Sequence, residues 1–291
     1  MEIRESSYKG LESIEIETDK LLYRFIPKLG LKLASIYIKE KEKEILYQSH
    51  DDFKLPKYKD KYLDYDISGI DDIIPTLEPC KYPNGKYEGL NLPDRGDVWN
   101  REVETKITNN SIKSEILLKS LPLKFEKEIS LKDDLTLNMK YKVTNLSDYD
   151  SYYLWTLQNY LYFSENAEFI FDKADFIAVN VLTNEDLTRY NLKNLNEYRD
   201  DRNYKYFFWG KRKNGIVGIN YKDEQIVYKL EYDVDKIPYL GIFINRKNNK
   251  ISIEPTNSFF DSIEVAYDNN SIHEIKGKAV DEFDIDLKIE Y

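Results

Sequence analysis

An all-β sandwich is the fold class this sequence predicts. Apolar and polar residues alternate in long runs, and turn residues separate the runs at short spacing. Aromatic residues make up 14% of the 291-residue chain, with 25 Tyr among them, and rings of this kind suit half-buried pleated surfaces.

The clearest run sets Leu135, Leu137, Met139, Tyr141 and Val143 at every second position. Phe283, Ile285, Leu287, Ile289 and Tyr291 repeat the pattern at the end of the sequence. Successive side chains on a strand point to opposite faces, so each run reads as a strand with one wet face, which argues for antiparallel sheets. Weaker alternation predicts further strands over 12–18, 32–38, 103–107, 112–118, 121–131, 152–157, 216–221, 226–232 and 251–253. Hairpin or loop chemistry divides them, as in Pro27-Lys28-Leu29-Gly30, Asn145-Leu146-Ser147-Asp148 and Lys213-Asn214-Gly215. The best helical candidate is 184–198, opened by Thr183 or Asn184 with Glu185 and Asp186 in its first turn. Residues 50–101 and 172–206 break the rhythm, and a loop as long as the first is usually functional. No linker-like composition divides the chain, so residues 1–291 read as one domain.

Composition excludes several classes. The formal net charge is −10, which argues against a nucleic-acid groove. No apolar run is long enough to span a membrane. The opening Met1–Glu5 carries no leader-like apolar region, so a cytoplasmic location is the expectation. A single cysteine, Cys80, rules out an intramolecular disulfide framework and a cysteine-based metal site. Asp60, Asp64, Asp66, Asp71 and Asp72 supply oxygen donors of the kind calcium accepts, but their spacing fits no loop motif and they read as a solvated acidic loop. No metal and no cofactor are expected. His50 and His273, the two histidines of the chain, read as surface residues.

Three segments carry candidate chemistry. Leu92-Pro93-Asp94-Arg95-Gly96-Asp97-Val98-Trp99 gathers acids, an arginine and an indole. An aromatic plate beside charged forks suits a sugar, and the same residues also read as a salt bridge beside a packing Trp. Trp155-Thr156-Leu157-Gln158-Asn159-Tyr160 places a polar group at an expected strand end. In Ile251-Ser252-Ile253-Glu254-Pro255-Thr256 an apolar strand runs into a Glu, and Pro255 is expected to end the strand with Glu254 at its mouth. A carboxylate there is a candidate general base or an ordinary surface Glu.

Taken in order, these segments resemble the aldose 1-epimerase (galactose mutarotase) family along nearly the whole chain. The Ile26-Pro27-Lys28-Leu29-Gly30 stretch is similar to the family's first strands. Gly69-Ile70-Asp71-Asp72-Ile73-Ile74-Pro75-Thr76 is similar to its glycine-acid-Pro-Thr stretch. Leu92 to Trp99 resembles a Pro-Asp-His-Gly-Glu-x-Trp variant, Trp155 to Asn159 a Trp-x-x-His-Pro segment, and Ile253 to Asp261 the late Glu-Pro segment.

The resemblance implies a supersandwich of large antiparallel sheets with a sugar cleft on a concave face. It implies that Glu254 removes a proton from an anomeric hydroxyl. Arg95 and Gln158 stand where the family has histidines, and another offset puts Tyr160 at the second position. Arg95 holds its proton too tightly to act as an acid, but it can contact a ring oxygen or an anionic substituent. Asp97, Trp99, Gln158 and Asp72 are the implied substrate contacts, and the partner is a small-molecule sugar. The alternative is a carbohydrate-binding protein that has lost epimerase activity. A self-pairing structural protein is a third reading, which the many Tyr permit.

Overall fold

The computed structural model describes residues 1–49, 52–172, 178–187, 190–198 and 202–291. Among these residues the strands form one sheet of twelve and one of eight, with two short two-stranded ladders. Strand pairs are antiparallel throughout both sheets, as the alternation predicts. The eight-stranded sheet is built on Leu123–Asp133, Thr136–Asn145 and Val280–Glu290, the three longest strands. Tyr141 lies opposite Lys127 on one side and Phe283 on the other, so the two sequence runs seen first are neighbours.

A continuous hydrophobic cluster joins the two sheets. Leu157, Ile242 and Ile253 come from the large sheet, and Met139, Leu230 and Leu287 from the small one. Full burial of side chains this size contributes roughly 1.5–3 kcal/mol each before chain entropy is set against it.

The large sheet is buried on both faces at its centre, which differs from the expectation of one wet face. Thr156–Tyr162 and Lys250–Thr256 are buried at nearly every position. Strand Ile70–Ile73 lies in the stretch expected to be a loop, and it reads Ile-Asp-Asp-Ile. Its acids point to opposite faces, and each meets a buried lysine: Lys32 Nζ lies 2.6 Å from Asp71, and Lys127 Nζ lies 2.7 Å from Asp72. With its charges paired, the segment is buried like an apolar strand.

Two other expectations change. The 184–198 segment is not a helix: Glu185–Asp186 pairs with Ala178–Asn180, and Leu195–Glu197 makes a 3-10 turn. A helix does occur at Ile263–Asp268, where the Ser262 hydroxyl accepts from the Val265 N–H at 3.3 Å. Pro255 does not end its strand, which runs on to Thr256 with Pro255 opposite Leu240. On the other side the ladder is interrupted between the Thr156–Thr256 and Asn159–Ile253 pairs, where a proline cannot donate. Glu254 therefore stands in the middle of a sheet rather than at a strand mouth.

Candidate functional site

Register places a row of chemically distinct side chains across one face of the large sheet. Gln158 pairs with Asp71, Glu254 lies in register with Gln158, Gly241 pairs with Glu254, and Phe207 with Gly241. Two positions along on the same face stand Tyr160, Ser252, Phe243 and Lys205. At Gly241 a side chain would begin 2.7 Å from the Phe207 ring, so the missing Cβ is what lets that ring lie beside Glu254.

Glu254 is 1% exposed. The Gln158 amide donates to its Oε1 at 3.1 Å, and its Oε2 has no hydrogen-bond donor. Lys205 Nζ lies 3.5 Å from that Oε2 and 2.8 Å from Asp261 Oδ1. The ammonium thus stands between two carboxylates, closer to Asp261 than to Glu254. Burial alone pushes the Glu254 carboxyl up, but Lys205, the Gln158 amide and Arg95 together hold it below its ordinary 4.5. Burial raises the Asp261 carboxyl, and Lys205 only partly offsets this. Burial would lower the Lys205 ammonium, but Asp261 and Glu254 outweigh burial and raise it.

Two loops close on this row. Asp261 accepts through its backbone carbonyl from the Leu77 and Glu78 N–H groups, at 3.0 and 2.7 Å. The Arg95 N–H donates to the Leu77 carbonyl at 2.8 Å. Residues 77–78 thus hold the Arg95 and Asp261 segments together. Gly96, with φ +66, passes so close to Ile74 that a Cβ would sit 2.0 Å from its carbonyl oxygen. Arg95 and Phe260 both take left-handed backbone angles, a strain of order 1–3 kcal/mol each that the surrounding packing sustains.

The residues expected from sequence divide into two groups. Glu254 and Gln158 touch, and Arg95 is close enough for its charge to act on Glu254, Lys205 and Asp261. The Arg95 guanidinium is buried, donates to Glu78 Oε1 at 2.7 Å, to the Leu77 carbonyl and to Asp94, and its Nε has no partner. Asp72, Asp97 and Trp99 do not join Glu254. Asp72 faces the other sheet, bound to Lys127 and to the Trp155 Nε1–H at 3.2 Å. Asp97 is a loop clamp, accepting from the Lys119 and Ser120 N–H groups, the Ser120 hydroxyl and the Tyr58 hydroxyl. Trp99 stands edge-on behind Tyr62 at 4.9 Å, and it is the Tyr62 hydroxyl that reaches Asp71.

His273 is half-buried rather than a surface residue. It meets Asp281 at 2.8 Å and the edge of Tyr153, away from Glu254. His50 lies outside the described residues. The acidic 60–72 stretch is dispersed: Asp60 meets Tyr65, Asp66 meets Ser49 and Ser68, and Asp71 and Asp72 bind lysines on opposite faces. Among the described residues no group of three His, Cys, Asp or Glu is placed to hold a metal ion.

No protein-family model matches this sequence, and no curated protein matches it. Solved structures do match. The Slr1438 protein of Synechocystis sp. PCC 6803 superposes with a TM-score of 0.78 at 12% identity, over 98% of each chain. A galactose mutarotase-like protein from Clostridium acetobutylicum gives 0.69 at 15% identity, over 99% of this chain and 98% of its own. Another, from Lactobacillus casei ATCC 334, gives 0.71 at 12% identity, over 96% of this chain and 100% of its own. The fold is galactose mutarotase-like.

Within this galactose mutarotase-like fold, sequence reasoning missed Lys205 and an aromatic shelf beside it. Phe207, Phe259 and Phe260 pack together, and Trp209 lies 5.1 Å from Phe259 with 55% of its surface exposed. Asp261 keeps 21% of its side chain exposed where Glu254 is covered. A hollow of about 770 Å³ opens elsewhere, over the eight-stranded sheet. Its lining mixes cross-strand Lys and Glu, such as Lys113 and Glu128 at 3.2 Å, with the Tyr141 and Phe283 rings.

The same face of the large sheet holds Lys250, buried with its ammonium 4.7 Å from the Tyr160 ring centre and 5.3 Å from that of Tyr47. Burial lowers its pKa from 10.5 to about 8, against a smaller opposing pull from Asp66. Between those two pH values the unfolded chain holds a proton that the folded chain has released, so this group makes stability rise with pH there. Lys250→Met should stabilise the protein at neutral pH and flatten the rise. Urea unfolding across that window tests this, and an unchanged slope would contradict it.

Proposed function

We propose that this protein binds a carbohydrate at the Glu254 row and interconverts its anomers, acting as an aldose 1-epimerase over residues 1–291 as one unit. One observation carries the reading. Glu254 is a buried carboxylate kept ionised by Lys205, with one oxygen free of hydrogen bonds, and Phe207 beside it in register belongs to an aromatic cluster whose Trp209 is exposed.

An ionised carboxylate with an oxygen that accepts no hydrogen bond can take the proton of an anomeric hydroxyl. Gln158 orients the carboxylate through Oε1, leaving Oε2 for that task. Trp209 and Phe260 offer faces on which the C–H side of a pyranose can stack. Arg95 adds positive charge near the site without giving up a proton. The fold shared with the galactose mutarotase-like proteins supports the same reading.

A second reading, a binder without catalysis, is favoured by one observation: the Arg95 guanidinium is engaged by Glu78 and Asp94 and cannot replace a histidine acid. Polarimetry of freshly dissolved aldoses separates the two. Catalysed mutarotation by the wild-type protein is expected. A rate equal to that of buffer, with a sugar-dependent rise in melting temperature, would leave binding alone. No response to any sugar would remove both.

A further inference from the structure

We infer that Lys205 is the catalytic acid, giving a proton to the ring oxygen while Glu254 takes one from the anomeric hydroxyl; this rests on the mutarotation reading above. A cyclic hemiacetal carries both reacting oxygens on one carbon, so base and acid must flank the same point. Lys205 Nζ, 3.5 Å from Glu254 Oε2, stands there.

The other neighbours of Glu254 serve less well. Gln158 has no ionisable proton, and a guanidinium such as Arg95 does not release one. Tyr160 is buried on the same face, and burial raises its phenol well above the ordinary 10.0. Asp261 carries a raised carboxyl, but its close contact is to the Lys205 ammonium at 2.8 Å, which it holds. Lys205 itself is buried to 8% side-chain exposure, unlike a solvated surface lysine. Its backbone N–H donates to the Asn180 side chain at 3.3 Å, and Asp261 holds its ammonium at 2.8 Å, which makes Asp261 a positioning residue.

The step balances without a co-reactant. Glu254 accepts the anomeric O–H proton, and the bond between the anomeric carbon and the ring oxygen breaks with its electron pair on the ring oxygen. That oxygen takes a proton from the Lys205 ammonium. The products are the open-chain aldehyde, a protonated Glu254 and a neutral Lys205. After rotation about the adjacent carbon–carbon bond, the chain hydroxyl attacks the other carbonyl face and returns its proton to Lys205, while Glu254 returns its proton to the carbonyl oxygen. Asp261 and Glu254 outweigh burial and raise the Lys205 ammonium at rest; as Glu254 takes the anomeric proton its share of that hold is lost, which eases the transfer, while Asp261 keeps the lysine in place.

The test is polarimetric, on wild type, Lys205→Ala and Lys205→Arg, with sugar affinity measured by calorimetry for each. Lys205→Ala should be slower by about 100-fold or more. Lys205→Arg keeps the positive charge but not the transferable proton, so it should be slow as well while still binding sugar. Added primary amines should restore the rate of Lys205→Ala and leave Lys205→Arg unchanged. An Arg variant near the wild-type rate would reduce Lys205 to a charge and overturn the inference, as would an Ala variant at full rate. If Lys205→Ala fails to fold, the Arg variant decides alone. A wild-type protein no faster than buffer would overturn the mutarotation reading and this inference with it, an outcome read before any variant is compared.

Discussion

Glu254→Gln should slow mutarotation by about 10²- to 10⁴-fold, because it removes the base and keeps its shape. The amide oxygen can still accept from the Gln158 side chain, so the sheet face and sugar affinity should change little. Stability provides a second reading with a defined sign. The folded pKa of Glu254 lies below its ordinary 4.5, so the ionised form contributes stability that is present above about that pH and is lost as pH falls through the folded value. The wild type's advantage over Glu254→Gln should therefore be larger at neutral pH than in acid, as measured by urea unfolding. A variant that mutarotates at the wild-type rate would remove Glu254 from the mechanism. A variant that binds no sugar would make Glu254 a ligand contact first.

What the sequence showed about the fold followed from exposure. The eight-stranded sheet has one wet face, so Thr136–Asn145 and Val280–Glu290 alternate and were legible with nearly correct bounds. Ile70–Ile73 was hidden for the opposite reason. Both of its faces are buried, and its two acids look like loop chemistry until Lys32 and Lys127 arrive from distant strands. The 184–198 stretch had helix-opening residues but is claimed by edge-strand pairing at Glu185–Asp186. Local preference lost there to tertiary context.

The site was legible only where a side chain sits beside a distinctive backbone signal. Glu254 stood out because a proline follows it, although Pro255 interrupts one ladder rather than ending the strand. Arg95 stood out beside Gly96, whose close approach to Ile74 is a real constraint. Lys205 lies in Asn-Tyr-Lys-Tyr-Phe-Phe, where one lysine among aromatics looks like the polar side of a strand. Only the pairing of Asn203–Phe208 with Tyr239–Asn245, and of that strand with Lys250–Thr256, carries it to Glu254. Asp97 and Trp99 were distinctive in sequence because they build the loop, and the structure uses them for that.

Asp72→Ala should destabilise the protein by about 3–5 kcal/mol, since it strands a buried ammonium without its counter-charge. Lys127 and Asp72 are each at most 2% exposed and meet at 2.7 Å between the sheets. The substitution also leaves the Trp155 Nε1–H without its acceptor, in a cluster where Trp155 packs against Tyr141 and Phe283. Removing both charges is a different case. Asp72→Leu combined with Lys127→Met replaces an ion pair whose desolvation is costly by packed apolar groups, and should recover most of the loss or exceed the wild type. Because Asp72 faces away from Glu254, the double variant should keep its rate of mutarotation per folded molecule. Urea unfolding and polarimetry on the three proteins measure both effects. A double variant as unstable as Asp72→Ala would mean that the polar contact to Trp155, rather than charge balance, holds the two sheets in place; a folded double variant that loses sugar affinity would put Asp72 back among the sugar contacts that the sequence suggested.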